Sequence, residues 1–194
     1  MAAKSLRGPR VDNRSPVVLD AAARIFAEHG YSGSSMREIA EACDMQPGSL
    51  YYHFAAKEDL LVAVYERGVE EIHAAVVEAI HRETDPWART EAACAAHLET
   101  LLRRSHYAQV LISVLPKDVP AAMGRLNTVR AEHEKAFKKL IAALPLPVGT
   151  DRKTLRLMLL GALNWTRLWF GPAGRETPKS PARKFVKLLK EAST

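Results

Sequence analysis

The sequence predicts an all-α protein of about nine helices. Apolar residues recur at three- and four-residue spacing through most of the 194 residues, and no segment alternates apolar and polar residues as a half-buried strand does. Serine followed by proline, a pair suited to a helix start, occurs at Ser15-Pro16 and again at Ser180-Pro181. Hydrophobic residues make up 47% and charged residues 26% of the chain, which is ordinary for a folded globular protein.

The first part of the chain is predicted to form three helices joined by short turns. The first helix begins at Ser15 and stops at Gly30, a typical helix terminator. Ser35 opens the second helix, and Glu38 follows at the spacing of a capping box. A turn at Asp44-Met45 leads to a third helix that ends near His53. This third helix is too short to be stable alone, so it must pack on the two helices before it.

Six further helices are predicted beyond this unit, with boundaries set by proline, glycine and capping signals. They begin near Lys57, cover Trp87–Arg104, Tyr107–Leu115, Pro120–Leu144 and Asp151–Phe170, and end with a helix that starts at Ser180. The chain therefore divides into a three-helix unit over residues 15–56 and a larger helical domain over residues 57–194.

The third helix contains the stretch GSLYYHF, residues 48–54, which has three aromatic rings and a histidine. At about 100° per residue, Leu50 and Phe54 lie on the buried face of this helix. The opposite face and its flanks carry small and aromatic residues: Gly48, Ser49, Tyr51 and Tyr52. Aromatic rings that face outward are expected to contact another molecule.

Two short helices joined by a tight turn, the second facing outward, form the helix-turn-helix arrangement that enters the major groove of DNA. Gly48 lets the backbone approach a phosphate, and Arg37 and Lys57 supply positive charge. Gln46 can read an adenine edge, and Pro47 can contact a thymine methyl group. Alternatively, the exposed tyrosines pack on the rest of the protein, and helical spacing alone leaves both interpretations open.

Residues 19–61, LDAAARIFAEHGYSGSSMREIAEACDMQPGSLYYHFAAKEDLL, closely resemble the DNA-binding region of TetR-type (TetR/AcrR family) bacterial transcriptional regulators. This resemblance implies binding to double-stranded DNA. By position it implies DNA contacts from ten residues: Ser35, Arg37, Gln46, Pro47, Gly48, Ser49, Tyr51, Tyr52, His53 and Lys57. Asp44 departs from the family pattern, which most often has glycine in this turn. Aspartate tolerates the left-handed conformation better than most residues, so we expect the turn to form at some cost.

The net charge of +6 is unevenly distributed. Residues 1–60 contain 7 Lys/Arg and 8 Asp/Glu, whereas residues 151–194 contain 10 and 3. Within residues 1–14, a basic flexible arm is predicted from four cations: Lys4, Arg7, Arg10 and Arg14. Truncation of residues 1–13 is expected to weaken binding to all DNA sequences alike and to flatten its salt dependence, because each cation bound to phosphate releases a counterion.

The last two predicted helices indicate a subunit interface. The helix from Leu155 to Phe170 is apolar on nearly all sides, which is too much for the surface helix of a monomer. The final helix has its own apolar stripe: Phe185, Leu188 and Leu189. Both helices could instead belong to the core of a monomer. The family resemblance implies a two-fold homodimer built from these helices, and such symmetry predicts a palindromic operator.

Aromatic and polar residues on the otherwise apolar faces of the middle helices are candidates for a ligand pocket. They are Trp87, His97, Tyr107, Met123, Phe137, Asn164, Trp165 and Trp169. Each of them could equally fill the core. The resemblance implies that a small hydrophobic effector binds between the fourth and eighth helices.

The stretch LGALNWTRLWFGPAGR, residues 160–175, resembles a subset of these regulators that respond to acyl-CoA thioesters. A CoA ligand would favour cations at the mouth of its pocket, and four arginines are available: Arg103, Arg104, Arg167 and Arg175. Solvation of the protein surface explains these arginines equally well.

Several other classes of protein are disfavoured. The sequence contains none of the motifs of nucleophilic hydrolases, P-loop or dinucleotide-binding enzymes or zinc proteases, so we expect no enzyme, cofactor or metal site. Cys43 and Cys94 lie apart in helical patterns, which favours a reducing cytoplasm over a disulfide framework. The start of the chain lacks an apolar signal sequence, and the longest apolar run, Leu157–Trp165, is too short to span a membrane.

The sequence thus predicts a cytoplasmic transcriptional regulator, most simply a homodimeric repressor that a small effector releases from its operator. A ligand-dependent activator or a regulator that needs a co-repressor would differ only in the sign of the coupling. A third hypothesis is a helical small-molecule-binding protein that keeps a vestigial helix-turn-helix.

Overall fold

The computed structural model describes residues 15–103, 105–171 and 176–193. These residues form nine α-helices, a 3₁₀ turn at Pro116–Asp118 and no β-strand, so the all-α prediction is confirmed. The helices are α1 (Ser15–His29), α2 (Met36–Ala42), α3 (Pro47–His53), α4 (Lys57–His81), α5 (Pro86–Leu102), α6 (His106–Ser113), α7 (Met123–Ala143), α8 (Arg152–Trp169) and α9 (Lys179–Glu191). The predicted basic arm lies outside the described residues.

Several predicted helix starts differ from the structure by one to three residues. Residues 120–122 form a turn, so α7 begins at Met123 rather than at Pro120. The prediction that Ser180 caps the last helix is wrong, because α9 already begins at Lys179 and Pro178 occupies the cap position. Ser180 instead lies in the first turn, where its backbone N–H donates to the Thr177 carbonyl oxygen at 2.9 Å.

The ends of α2 follow the local signals of the sequence. Ser35 caps the helix, and its hydroxyl oxygen accepts a hydrogen bond of 3.2 Å from the backbone N–H of Glu38. The Glu38 carboxylate does not complete a capping box but pairs with Nδ1 of His29 at 2.7 Å. Asp44 adopts the left-handed conformation with φ of 52°, and the backbone N–H of Met45 then reaches the Ala40 carbonyl oxygen at 2.9 Å. The tight turn between α2 and α3 therefore forms without glycine.

The helix α4 belongs to two hydrophobic cores. Its first half packs with α1, α2, α3 and α6 and with the start of α7, through buried residues that include Leu60 and Leu61. Its second half packs with α5, α8, α9 and the end of α7, through Ile72 and Val76. One continuous helix of 25 residues thus connects the N-terminal helices to the C-terminal bundle. No helix in the described part of the chain is long and apolar enough to cross a membrane.

Candidate nucleic-acid interface and ligand groove

The outward face of α3 is the candidate DNA-binding surface. Leu50 is completely buried beneath this helix, and Phe54 packs against the same core from the helix end. In contrast, the Tyr51 and Tyr52 side chains are 52% and 87% exposed. Helix α3 therefore turns its small and aromatic side chains toward solvent, as the helical projection predicts.

Most of the ten residues predicted to contact DNA are exposed. The exposed ones are Ser35, Arg37, Gln46, Gly48, Ser49, Tyr51, Tyr52 and His53. Pro47 and Lys57 are half-buried. Gln46 precedes α3 as its cap residue and makes no capping hydrogen bond, so its amide remains available. The face is rich in neutral hydrogen-bond donors, which suit phosphate oxygens and base edges alike.

The cations next to this face already have partners within the chain. Arg37 pairs with Glu41 one turn along α2, with 2.9 Å between Nε and Oε1. The Lys57 ammonium donates to the carbonyl oxygens of Tyr31 and Ser34 at 2.7 and 2.8 Å. A lysine ammonium has three donors, so one remains for a phosphate. The described part of the interface thus offers little uncompensated positive charge.

Tyr31 anchors the start of α4 to the turn after α1. Its hydroxyl donates to the Glu58 carboxylate at 2.6 Å, and the Lys57 ammonium lies 4.3 Å from its ring centroid. Burial, together with the hydrogen bond to Glu58, raises the pKa of the Tyr31 phenol well above its usual value. The hydroxyl therefore stays protonated and keeps its role as a donor.

A second candidate site is a groove of about 1140 Å³ between α4, the start of α5 and α7. This volume slightly exceeds the usual range of small-molecule sites, and the groove is partly open to solvent. Its walls are mainly small and aliphatic side chains: Val69, Ala74, Val77, Ile80, Pro86, Val129, Ala136, Leu140 and Ala143. We call it the α4/α7 groove.

Charge is separated along the α4/α7 groove. Arg125 near the start of α7 pairs with Asp59 near the start of α4 at 2.6 Å, and the second halves of both helices share the second core, so the two helices run in the same direction. Carboxylates line the end of the groove near the N-terminal helices: Glu66, Glu70 and Glu132. Cations line the far end: Arg89, Lys135 and Lys139. Lys135 pairs with Glu132 at 2.6 Å, whereas Arg89 and Lys139 form no ion pair with any described residue.

None of the eight residues predicted to bind ligand lines this groove. Trp87, His97, Tyr107 and Phe137 are buried in the protein interior. Met123, Asn164, Trp165 and Trp169 are exposed, the last three on one side of α8. The periodicity of aromatic residues did not distinguish a pocket wall from a core or from an exposed helix face. Each of those settings favours an aromatic side chain on an apolar stripe.

Of the four arginines predicted at the pocket mouth, the two that the structure describes do not line the groove. Arg103 is exposed beyond the end of α5, and Arg167 donates to the carbonyl oxygen of Ile112 at 3.4 Å. Arg104 and Arg175 lie outside the described residues. The sequence did contain one signal for the α4/α7 groove, which is a second row on α4 at helical spacing: Val69, His73, Val77 and Ile80.

Three polar side chains meet beside the groove, in the middle of the C-terminal bundle. Nδ1 of His97 lies 3.2 Å from Nε2 of His133, and Nε2 of His97 lies 3.1 Å from Oδ1 of Asn164. Burial lowers the pKa of His97 to about 4 and that of His133 to about 3. Both rings are therefore neutral at pH 7. No group of side chains among the described residues is arranged to hold a metal ion.

Helix α8 carries an apolar surface that the single chain leaves uncovered. Its exposed large residues are Leu157, Met158, Trp165, Leu168 and Trp169, and Leu188 of α9 is exposed as well. Gly161 lies between them, with open space where a side chain would be. We call this set the α8 face. An exposed apolar surface of this kind is a candidate interaction site.

Two family models match the chain. The model of bacterial regulatory proteins of the tetR family matches residues 18–64, and that of the tetracyclin repressor-like C-terminal domain matches residues 83–192. The second match alone covers more than half of the chain. The family consists of transcriptional regulators rather than enzymes.

Individual relatives agree with the family models. The HTH-type transcriptional repressor KstR2 of Mycobacterium tuberculosis is 24% identical over 187 residues, which cover 93% of this chain and 92% of KstR2. The HTH-type transcriptional activator FasR of Mycolicibacterium smegmatis is 35% identical over 95 residues, 48% of this chain and 43% of FasR.

Among solved structures, AibR in complex with isovaleryl coenzyme A and operator DNA has the same fold, with a TM-score of 0.74. The two proteins are 24% identical, and the match covers 90% of this chain and 97% of AibR. Together with the outward face of α3, the family matches establish that the chain belongs to the TetR family of DNA-binding transcriptional regulators.

Proposed function

We propose that this regulator is a homodimeric repressor that a small hydrophobic effector releases from a palindromic operator. The observation that carries the proposal is the face of α3, which exposes Tyr51 and Tyr52 above a fully buried Leu50. In this proposal residues 15–56 read the operator, residues 57–194 dimerise and bind the effector, and residues 1–14 add cations that contact the DNA backbone.

In the proposed complex α3 lies in the major groove. The hydroxyl groups of Ser49, Tyr51 and Tyr52 donate to phosphate oxygens, and the exposed Gly48 lets the backbone approach the DNA closely. Gln46 at the start of α3 reads a base edge. Arg37 must exchange its partner Glu41 for a phosphate, and this exchange reduces the net gain from the contact. Specific recognition therefore depends more on neutral donors than on charge.

The α8 face is the proposed subunit interface. Burying exposed tryptophan and leucine side chains against a second copy removes apolar surface from water, at roughly 25 cal/mol for each Å². Gly161 lets the two copies of α8 approach closely. Two-fold symmetry would place the two α3 helices on half-sites whose centres are about 34–36 Å apart or a multiple of that distance.

The α4/α7 groove is the proposed effector site, and an acyl-CoA thioester is the proposed class of effector. The aliphatic walls suit an acyl chain, and the free cations Arg89 and Lys139 suit the phosphates of CoA. Support also comes from AibR, which has the same fold and was solved with isovaleryl coenzyme A and operator DNA.

Helix α4 is the proposed link between effector and operator. It contributes side chains both to the groove and to the core beneath α3, so a displacement of α4 moves α3 as well. An effector that binds better to the displaced arrangement shifts the population of dimers toward it and away from operator spacing.

Fluorescence anisotropy on the DNA upstream of the chain's own gene tests the proposal, with and without isovaleryl-CoA and a long-chain acyl-CoA. We expect tight, salt-sensitive binding that the thioester reverses. The double variant Gln46→Ala with Tyr52→Ala should lose DNA binding but keep its fold and its affinity for the effector. Val148→Ala, in an exposed loop, is the matched control and should behave as the wild type.

The outcomes separate the alternatives. Binding that ignores both thioesters would retain the repressor and reject the acyl-CoA class. Binding that requires the thioester would instead indicate an activator or a co-repressor mechanism. The similarity of 95 residues of this chain to the activator FasR favours this alternative. Normal DNA binding by the double variant would overturn the assignment of the α3 face.

A further inference from the structure

A chain of hydrogen bonds crosses the C-terminal bundle from the groove to the α8 face. It consists of His133 on α7, His97 on α5 and Asn164 on α8, joined by contacts of 3.2 and 3.1 Å. His133 lines the α4/α7 groove, His97 is buried, and Asn164 is exposed beside Trp165. This series of hydrogen bonds therefore runs from the α4/α7 groove, the proposed effector site, to the α8 face, the proposed subunit interface.

With the Asn164 amide oriented as in this structure, the direction of these hydrogen bonds follows from the atoms that meet. A neutral imidazole has one nitrogen that donates and one that accepts. Oδ1 of Asn164 can only accept, so Nε2 of His97 carries the proton and donates to it. Nδ1 of His97 then accepts from Nε2–H of His133.

This direction leaves Nδ1 of His133 as an acceptor. The atom is buried and has no hydrogen-bond partner among the described residues. A buried acceptor without a donor is unfavourable, so a donor that reaches it is stabilised. The exposed His73 ring lies edge-on to the His133 ring, with 6.4 Å between the centroids, and also lines the groove. The His73 side chain is exposed, and access of a groove ligand to this acceptor requires it to turn aside.

The three side chains have a second complete arrangement, in which both hydrogen bonds run in the opposite direction. A groove ligand that accepts a hydrogen bond would require Nδ1–H on His133. Both rings would then change tautomer, and the Asn164 amide would rotate so that its NH₂ group donates to His97. The chemistry of the group bound at His133 thus determines which end of the Asn164 amide points toward the α8 face.

We propose that His133, His97 and Asn164 form a relay that reports a hydrogen-bond donor, a hydroxyl or amide N–H, bound in the α4/α7 groove to the α8 face. The relay rests on the proposed function only in taking the groove as the effector site and the α8 face as the subunit interface. The pantetheine part of CoA carries both a hydroxyl group and amide N–H groups, so the relay is compatible with the proposed effector class.

Nitrogen-15 NMR of the histidine side chains in the full chain tests the relay without DNA. At pH 7 we expect both His97 and His133 as the Nε2–H tautomer. Asn164→Leu removes the acceptor at the far end, and we expect this change to convert His133, two hydrogen bonds away, to a mixture of tautomers. His81→Gln, at an exposed position on α4 that does not line the groove, is the matched control and should leave both tautomers unchanged. An unchanged His133 in a folded Asn164→Leu variant would overturn the relay.

Two isomeric probes test the ligand class. Octan-1-ol carries a donor, and 1-methoxyheptane has the same atoms but only an acceptor. We expect the alcohol to bind about three to ten times more tightly, as one additional hydrogen bond predicts, and to shift the Nδ1 resonance of His133. Equal affinity, or an Nδ1 resonance that saturating alcohol does not move, would overturn the assignment. DNA release by acyl-CoA with unresponsive tautomers would leave the repressor proposal intact and reject only the relay.

Discussion

The Lys57 ammonium at the start of α4 donates a hydrogen bond of 2.7 Å to the carbonyl oxygen of Tyr31, in the turn between α1 and α2. A second bond, to the Ser34 carbonyl oxygen, has a length of 2.8 Å. The lysine therefore connects the helix that lines the groove to the turn that precedes the helix-turn-helix. The Lys57 side chain thus has a structural role within the protein in addition to its proposed contact with DNA.

Replacement of Lys57 by methionine should reveal the structural role in the absence of DNA. The variant keeps the aliphatic stem but leaves two carbonyl oxygens without their charged donor, so we expect a loss of about 1–2 kcal/mol in the free energy of unfolding. Urea denaturation measures this loss. Lys138→Met, at an exposed position on α7, is the control and should change stability by less than about 0.5 kcal/mol. Equal stability of both variants would show that the connection contributes little.

Stability should fall as the pH is lowered from 7.5 to 5.5. Burial lowers the pKa of His97 to about 4 and of His133 to about 3, compared with about 6.5 in the unfolded chain. In this window the unfolded state binds more protons than the folded state, so the stabilising contribution is complete above pH 6.5 and is lost as the pH falls. We expect a loss of about 1 kcal/mol for each ring.

Denaturation at several pH values in this window measures the effect. His97→Gln should reduce the slope of stability against pH, whatever its effect on stability itself. His81→Gln, at an exposed position near the end of α4, should leave the slope nearly unchanged. A wild-type slope in His97→Gln would mean that other groups carry the pH dependence.

The helix-turn-helix was predictable because its signals are local. The Ser35 cap, the Asp44 turn and the burial of Leu50 each depend on residues a few positions apart. The start of α9 was less predictable. Ser180-Pro181 has the composition of a helix start, but the helix begins at Lys179. Local composition restricts a helix start to a few residues, and the hydrogen bonds of the loop decide among them.

Only the α4 wall of the groove has a signal in the sequence, and the groove as a whole was not predictable, because its walls come from segments far apart in the sequence. Val77 on α4 and Ala136 on α7 line the same groove, but their separation in space depends on how whole helices pack. The contact between His97 and Asn164 joins residues 67 positions apart. Both were predicted to bind ligand, and the structure places them together beside the groove rather than in its wall. Helical periodicity specifies which face of a helix is apolar but not which other helix it meets.

The proposed dimer predicts a specific difference between two glycines. Gly161 lies within the α8 face and Gly124 near the start of α7, and in the single chain a side chain at either position would meet only open space. Gly161→Arg should raise the dimer dissociation constant by at least about tenfold, because it places a charge between apolar surfaces. Gly124→Arg should leave the constant nearly unchanged. Analytical ultracentrifugation over a range of concentrations compares them, and equal dissociation constants would argue against the α8 face as the interface.

The charge of the groove predicts a difference between two adjacent lysines. Lys139 lines the α4/α7 groove and has no ion-pair partner among the described residues, whereas Lys138 is exposed on α7 and does not line the groove. Lys139→Glu places a negative charge where the proposed CoA phosphates bind, so we expect about a tenfold weaker affinity for isovaleryl-CoA in low salt. Lys138→Glu carries the same change in net charge, so it controls for long-range attraction of the anion.

Isothermal titration calorimetry at two salt concentrations measures both affinities. The difference between the variants should shrink as salt is raised, because screening weakens attraction between partly exposed charges. Both variants should bind operator DNA like the wild type, since neither lysine lies near α3 in the sequence or contributes to its core. If Lys138→Glu weakened the affinity as much as Lys139→Glu, the ligand would be responding to net charge. That result would overturn the assignment of Lys139 to the CoA phosphates.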